Sequence, residues 1–233
     1  MSAGAHLAAP AGAEPTEVIG RYLEAIHYME VEGEPVRSAR LADWLSVSRP
    51  TVTAALRRMT RDGMVRLNSR KEIELTPRGV KAAAAIVRRH RIMERWLTDV
   101  LGLDWVAADE EAARLEHAVS DLVEHRLWET LGRPTRCPHG NPIPGYAELN
   151  RAEVRLSSLA PGVRAEVSRI SEVAEREAPT LLRYLLERKL VPGTGIEVLE
   201  VDSVGRTLKL AVAKREITLS HETAGKIWVE SAA

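Results

Sequence analysis

Cysteine is nearly missing from this chain: Cys137 is the only one in 233 residues. A lone thiol excludes an internal disulfide and fits a reducing compartment, so a cytoplasmic protein is expected. Long apolar runs are missing as well. None approaches the ~18 residues that a membrane-spanning helix requires, so no membrane partner is expected. Residues 1–13 are rich in Ala, Gly and Pro but lack the basic segment and apolar core of a secretory signal, and they read as a disordered tail. No H-E-x-x-H zinc motif, nucleophile motif or closed Gly-rich substrate loop occurs. Their absence argues against an enzyme and against a small organic substrate.

Net charge is also lacking, at +0, but its distribution is not even. From Arg37 to Arg91 there are 14 Lys and Arg against 4 Asp and Glu, whereas from Ile92 to Thr130 there are 3 Arg against 10 acidic residues. A basic block suits a polyanion such as double-stranded DNA, and an acidic block suits cations.

Hydrophobic spacing organises the chain as mainly α with a small β domain. Val18, Ile19, Tyr22, Leu23, Ile26 and Met29 mark one face of a helix beginning near Glu14 and stopped by Gly33 and Pro35. A short helix over 36–44, a turn at 46–48 and a helix opened by Ser48 and Pro50 follow. Two short strands, 65–67 and 72–75, flank Asn68-Ser69-Arg70-Lys71. Helix, turn, helix and hairpin together predict a winged helix-turn-helix over 14–78. A long helix over 77–101 and another over 109–131 predict a helical domain over 79–150, followed by a linker over 151–162. Short strands at 165–170, 196–201, 207–212 and 216–219, with a helix over 178–189, predict a small β-barrel over 163–233.

The first functional candidate is the reading helix. Its N-terminal side chains Ser48, Arg49, Pro50, Thr51 and Thr53 are placed to meet base edges in the major groove, with Arg49 suited to guanine. Arg57 and Arg58 suit phosphates, Arg70 and Lys71 occupy the wing tip, and Arg37 and Arg40 can clamp the DNA backbone.

The second candidate is a metal site. His90 and Glu94 share a helix face at i, i+4, and Asp109, Glu116 and His117 share another at i, i+7, i+8. Packing those faces together brings imidazoles and carboxylates to one place, and Glu24 on the first helix can join them. Nitrogen and oxygen donors without sulfur suit Mn²⁺, with Fe²⁺ next and Zn²⁺ or Co²⁺ also acceptable. Trp96, Leu97, Val100, Leu101, Leu103 and Trp105 are candidates for an apolar dimer contact.

These residues resemble the diphtheria toxin repressor family, with its iron-dependent and manganese-responsive members, over roughly 16–233. The marks are Arg49-Pro50-Thr51-Val52, Arg58-Met59, Arg61-Asp62-Gly63-Met64-Val65, Leu75-Thr76-Pro77-Arg78-Gly79, Arg89-His90-Arg91, Leu101-Gly102-Leu103, Leu115-Glu116-His117 with Ser120-Asp121, and Gly140-Asn141-Pro142-Ile143-Pro144-Gly145. Leu190-Val191-Pro192-Gly193 is similar to the SH3-like, FeoA-type domain of the longer members. The resemblance implies a homodimer that represses metal-uptake genes from palindromic operators, with metal as co-repressor. It implies one site at His90, Glu94 and Asp109, a second at Glu116 and His117, and an anion pocket at Arg91, Cys137 and Asn141. Two positions depart from the family: Ala113 and Arg21 stand where further ligands of the second site are expected. Glu24 or Glu17 can compensate; a metal-independent dimeric winged-helix regulator is the alternative. The barrel positions expected to lend ligands are Ala178 and Leu181, so Glu175 or Glu177 would have to substitute. Cys137-Pro138-His139 has the C-x-H spacing of a ligand pair, but with no partner cluster in view a structural role in the loop is expected.

Overall fold

Capping chemistry fixes where the helices of this protein begin. Ser48 accepts a hydrogen bond from the Thr51 amide, Asp104 from Ala107 and Ser120 from Val123, each satisfying an amide that the first helical turn leaves without a partner. The resulting order, in a computed structural model that describes residues 15–177, 179–213 and 215–231, is α1 (Glu17–Val31), α2 (Ser38–Leu45), α3 (Arg49–Arg61), β1 (Val65–Leu67), β2 (Ile73–Leu75), α4 (Pro77–Asp99), α5 (Trp105–Leu115), α6 (Asp121–Thr130), β3 (Val154–Arg155), β4 (Arg164–Ile170), α7 (Glu172–Glu177), α8 (Pro179–Glu187), β5 (Gly195–Asp202), β6 (Thr207–Val212), β7 (Arg215–Ser220), α9 (His221–Ala224) and β8 (Ile227–Ser231). The expected N-terminal tail and Ala178 lie outside the described residues. The described residues group into two compact units, 15–27 with 35–83 and 28–34 with 84–231.

The first unit is a winged helix-turn-helix. Ile19, Leu23 and Ile26 of α1 are buried, as are Leu41, Val52, Met59, Met64, Ile73 and Leu75. The β1–β2 pair is antiparallel, with Arg66 opposite Glu74. Asn68 organises the wing tip: its Oδ1 accepts from the amides of Arg70 and Glu72, and its Nδ2 donates to Glu72 and Glu74. Gly79 lets α4 start tight against the hairpin, because a Cβ there would lie 2.0 Å from the Met64 carbonyl oxygen.

In the second unit α4 and α5 meet through Met93, Leu97, Ala108 and Ala112. Where the spacing predicts one helix over 109–131, the chain forms α5 and α6. Asp104 starts α5 ahead of Asp109, and the Ser120 cap restarts the chain as α6. Six antiparallel strands follow in the order β3-β8-β4-β5-β6-β7, with β3 formed within 151–162. Trp105 at the head of α5 belongs to the core of this sheet, with Leu156, Val167, Leu182 and Val229. Trp105 and Leu97 are therefore interior, whereas Val100 and Leu101 are 60% and 52% exposed. No helix among the described residues is long and apolar enough to cross a membrane.

Candidate metal centre and nucleic-acid face

The first unit presents its cations outward. Arg37, Ser48, Arg49, Pro50, Thr51, Thr53, Arg57 and Arg70 are all exposed. Arg40 is half-buried, its guanidinium 5.5 Å from the Trp44 ring. The hydroxyls at the start of α3 are turned to helix formation: those of Ser48 and Thr51 lie 2.7 Å apart, and that of Thr53 donates to the Arg49 carbonyl. Arg49 and Pro50 are exposed beside them. Arg37 lies 3.6 Å from Glu72, which connects the start of α2 to the wing.

The second unit does the reverse and gathers ionisable groups inside. His90 on α4 is buried between two carboxylates: its Nδ1 is 2.8 Å from Glu116 Oε2 and its Nε2 is 3.3 Å from Asp109 Oδ1. Burial alone would favour the neutral ring, but the bonds and charges of Asp109 and Glu116 outweigh it and hold the imidazole well above its usual value. His117 Nε2 lies 3.2 Å from the other oxygen of Glu116. The predicted convergence of the α4 and α5 faces thus brings His90, Asp109, Glu116 and His117 together. It does so without Ala113, and Arg21, on α1 of the first unit, is exposed. Glu24 is half-buried on that same stretch of α1.

Glu94 behaves differently from the expectation. One turn along α4 from His90, it sits 2.8 Å from Nδ1 of His139, a residue set aside as structural in the loop. Burial would raise the Glu94 carboxyl, but the His139 charge and hydrogen bond bring it below the usual range. Glu94, Cys137 and His139 are all buried, and each offers a donor atom within 4.8 Å of the others; His90, Glu94 and Asp109 do the same. Glu94 is common to both sets. The Cys-x-His spacing is visible in the sequence, but its partner Glu94 lies on a helix far back in the chain.

Backbone pairing holds the His139 loop in place. The Ile170 amide donates to the His139 carbonyl, and Asn141 Nδ2 donates to the Ile170 carbonyl, so the loop is fastened to the end of β4. Gly140 has φ +88°, and a Cβ there would fall 2.1 Å from the Ser168 carbonyl oxygen, so only glycine permits this approach. Trp105 packs edge-on against the His139 ring at 4.6 Å.

The Arg91 guanidinium is buried, donating to the Glu172 carboxylate and the Pro142 carbonyl, with the Tyr28 ring 6.0 Å away. Arg91, expected in an anion pocket, thus meets a carboxylate of the protein's own. Burial, reinforced by nearby Glu94 and opposed by Arg91, raises the Glu172 carboxyl. Glu172 opens α7 and lies near Glu94 and His139, a residue the sequence does not single out.

The donor chemistry fits a divalent cation. Two imidazoles, a thiol and several carboxylates converge in a buried region. The imidazole nitrogens that meet Glu116 and Glu94 are themselves ligand atoms, and a cation would offset the charge that these buried carboxylates share.

Residues 15–73 match the N-terminal DNA-binding domain of iron-dependent repressors, 76–145 match their metal-binding and dimerisation domain, and 154–231 match the FeoA domain. The iron-dependent repressor IdeR of Mycobacterium leprae is 37% identical over 220 residues, covering 90% of this chain and 95% of that protein. The diphtheria toxin repressor of Corynebacterium diphtheriae is 36% identical over 211 residues, covering 86% and 87%. Among solved structures, a manganese-dependent transcriptional repressor in complex with manganese aligns with a TM-score of 0.84 at 31% identity, covering 92% of this chain and all of that one.

Proposed function

This chain belongs to the diphtheria toxin repressor family of metal-dependent transcriptional regulators, and we propose that it is a cytoplasmic repressor of metal-uptake genes that grips palindromic operators as a homodimer when loaded with a divalent cation. The observation that carries this reading is the meeting of buried His90, Glu94 and Glu116 with half-buried Asp109 in a chain whose other unit displays Arg49 and Arg57 on a capped recognition helix. We read no enzymatic role.

His90, Glu94 and Asp109 hold the ion, with Glu116 and His117 beside them; Glu24 is added on the family resemblance. When bound, the cation supplies positive charge that lets neighbouring carboxylates remain ionised side by side. Arg49, Pro50 and Thr51 read bases, while Arg37, Arg40, Arg57 and Arg70 hold phosphates. Two recognition helices must stand about one DNA turn apart to engage both half-sites. A ligand that binds the competent spacing better shifts the population toward it, by about 1–3 kcal/mol in typical coupled systems. The dimer contact uses Val100 and Leu101, the exposed apolar residues at the end of α4. Leu101→Arg should give monomers by light scattering, and a persisting dimer would remove this contact from the reading.

Mn²⁺ is the favoured ion for the oxygen- and nitrogen-only set at His90. The buried Cys137 thiol beside Glu94 and His139 favours Fe²⁺ as the second reading, because sulfur is the softer donor. Operator binding is to be measured in chelator-scrubbed buffer and again with Mn²⁺ or Fe²⁺, alongside calorimetric titration of each ion. Metal should tighten operator binding by about 5- to 150-fold. Equal affinity with and without metal would overturn the proposal.

A further inference from the structure

A row of three side chains on the sheet forms a receptor for one carboxylate. Arg155 of β3 lies opposite Trp228 of β8, which lies opposite Arg169 of β4. Arg169 reaches this row because β4 has a bulge between Val167 and Arg169, which turns it to the face opposite the core while Ile170 re-enters the core. The two guanidinium carbons stand 4.1 and 4.3 Å from the centre of the Trp228 ring, so the indole is flanked by cations.

All three donors converge on Glu32, the residue just after α1. Arg169 Nη1 is 2.8 Å from Glu32 Oε1, Arg155 Nη2 is 2.7 Å from Oε2, and Trp228 Nε1 donates to Oε2 at 3.0 Å. Arg155 also reaches the Glu32 carbonyl at 3.3 Å. A carboxylate at a helix C-terminus opposes the helix dipole, so helix formation alone would not favour it there. Burial pushes this carboxyl up, but Arg169 and Arg155 with their hydrogen bonds bring it below the usual range.

Arg169 also faces the loop of the candidate metal centre. Its Nη1 is 3.4 Å from Asn141 Oδ1 and its Nε donates to buried Glu153. Asn141 in turn holds the Cys137 end of the loop, since the Cys137 amide donates to the Asn141 carbonyl. One guanidinium thus touches both the end of α1 and the loop bearing Cys137 and His139. Through His27, α1 belongs to the DNA-reading unit; from Tyr28 onward it belongs to the unit that holds the donors.

We propose that Glu32 in the Arg155–Trp228–Arg169 receptor is a positioning latch that passes the state of the Glu94, Cys137 and His139 loop to α1, and so couples metal binding to operator binding. This rests on the metal-repressor reading above. A mere structural brace would change stability alone, whereas a latch changes how much metal matters to DNA.

The test uses the full-length protein, the near-isosteric Glu32→Gln variant, and Arg155→Gln, which shortens the side chain and removes its charge. Operator affinity is measured with chelator and with saturating Mn²⁺, and Mn²⁺ affinity is measured without DNA. Glu32→Gln should cut the metal-induced gain in operator affinity by about tenfold, within the usual range of coupling, and Arg155→Gln by less, while Mn²⁺ affinity without DNA stays within about threefold of wild type. A wild-type gain that both variants retain would overturn the latch alone. Loss of Mn²⁺ affinity in step with operator affinity would also overturn it, by making Glu32 a support of the metal site. No gain in the wild-type protein would overturn the repressor reading and the latch with it.

Discussion

The two units solve opposite electrostatic problems. In the reading unit, charged groups remain in water: Arg49, Arg57 and Arg70 are exposed. In the metal unit, His90, Glu94, Glu116, His139 and Glu172 are buried, and each is neighboured by a group from a different element. An exposed cation contributes little to stability and can be changed with little structural consequence. A buried ionic group is held by its partners, and removing one leaves the other uncompensated. The same type of substitution should therefore damage binding in one unit and folding in the other.

The sharpest way to break this comparison is Glu94→Ala. Glu94 is shared by both donor sets, and its loss leaves His139 without its buried carboxylate partner, whereas His90 keeps Glu116. Urea unfolding in metal-free buffer should show a loss of about 3 kcal/mol, the low end for a broken buried pair because a histidine can shed its proton. Calorimetry should show Mn²⁺ binding severely weakened. A stability change under about 1 kcal/mol would mean that Glu94 is not part of a closed ionic core. Arg49→Ala is the counterpart in the reading unit. Operator affinity should fall by about 1–3 kcal/mol with specificity relaxed at one base, while Mn²⁺ affinity and the unfolding midpoint stay at wild-type values. An equal loss of binding across unrelated sequences would reassign Arg49 to phosphate contact.

The same contrast explains what the sequence made legible. Ser48, Pro50 and the turn before them act within a few residues, so the recognition helix was readable from local chemistry, as was the Asn68–Lys71 wing tip. The α4 and α5 donor faces were readable because helical periodicity places His90 and Asp109 on them. The break between α5 and α6 was not, since the apolar spacing continues across it and only the Ser120 cap marks the restart. Nor were β3 and β8 legible: Val154–Arg155 is too short to show alternation, and Ile227–Ser231 follows a four-residue helix with little turn chemistry before it. His139 had a visible motif but lacked a visible partner. Its role depends on a tertiary fact, the fastening of Gly140 to β4, that no local pattern encodes. Glu172 was hidden for the same reason, because Arg91 reaches it across the fold.

The smallest expected effect lies at Ser48, where local structure and DNA contact overlap. The hydroxyl caps α3 and bonds to Thr51, so Ser48→Ala should lower stability by about 1 kcal/mol in urea unfolding. Ser48→Asp should preserve the cap, since a carboxylate accepts from the same amide and suits the positive end of the helix dipole. That carboxylate would also meet the phosphates of the operator, so the Asp variant should fold as well as wild type yet bind DNA less well than the Ala variant. The order of the two variants is thus reversed between the two measurements. If Ser48→Ala binds the operator as poorly as Ser48→Asp, the hydroxyl is itself a DNA contact and not only a cap. If Ser48→Asp binds as tightly as wild type, the N-terminus of α3 does not approach the phosphate backbone, and the contrast between an outward-facing reading unit and an inward-facing metal unit would need a different DNA surface.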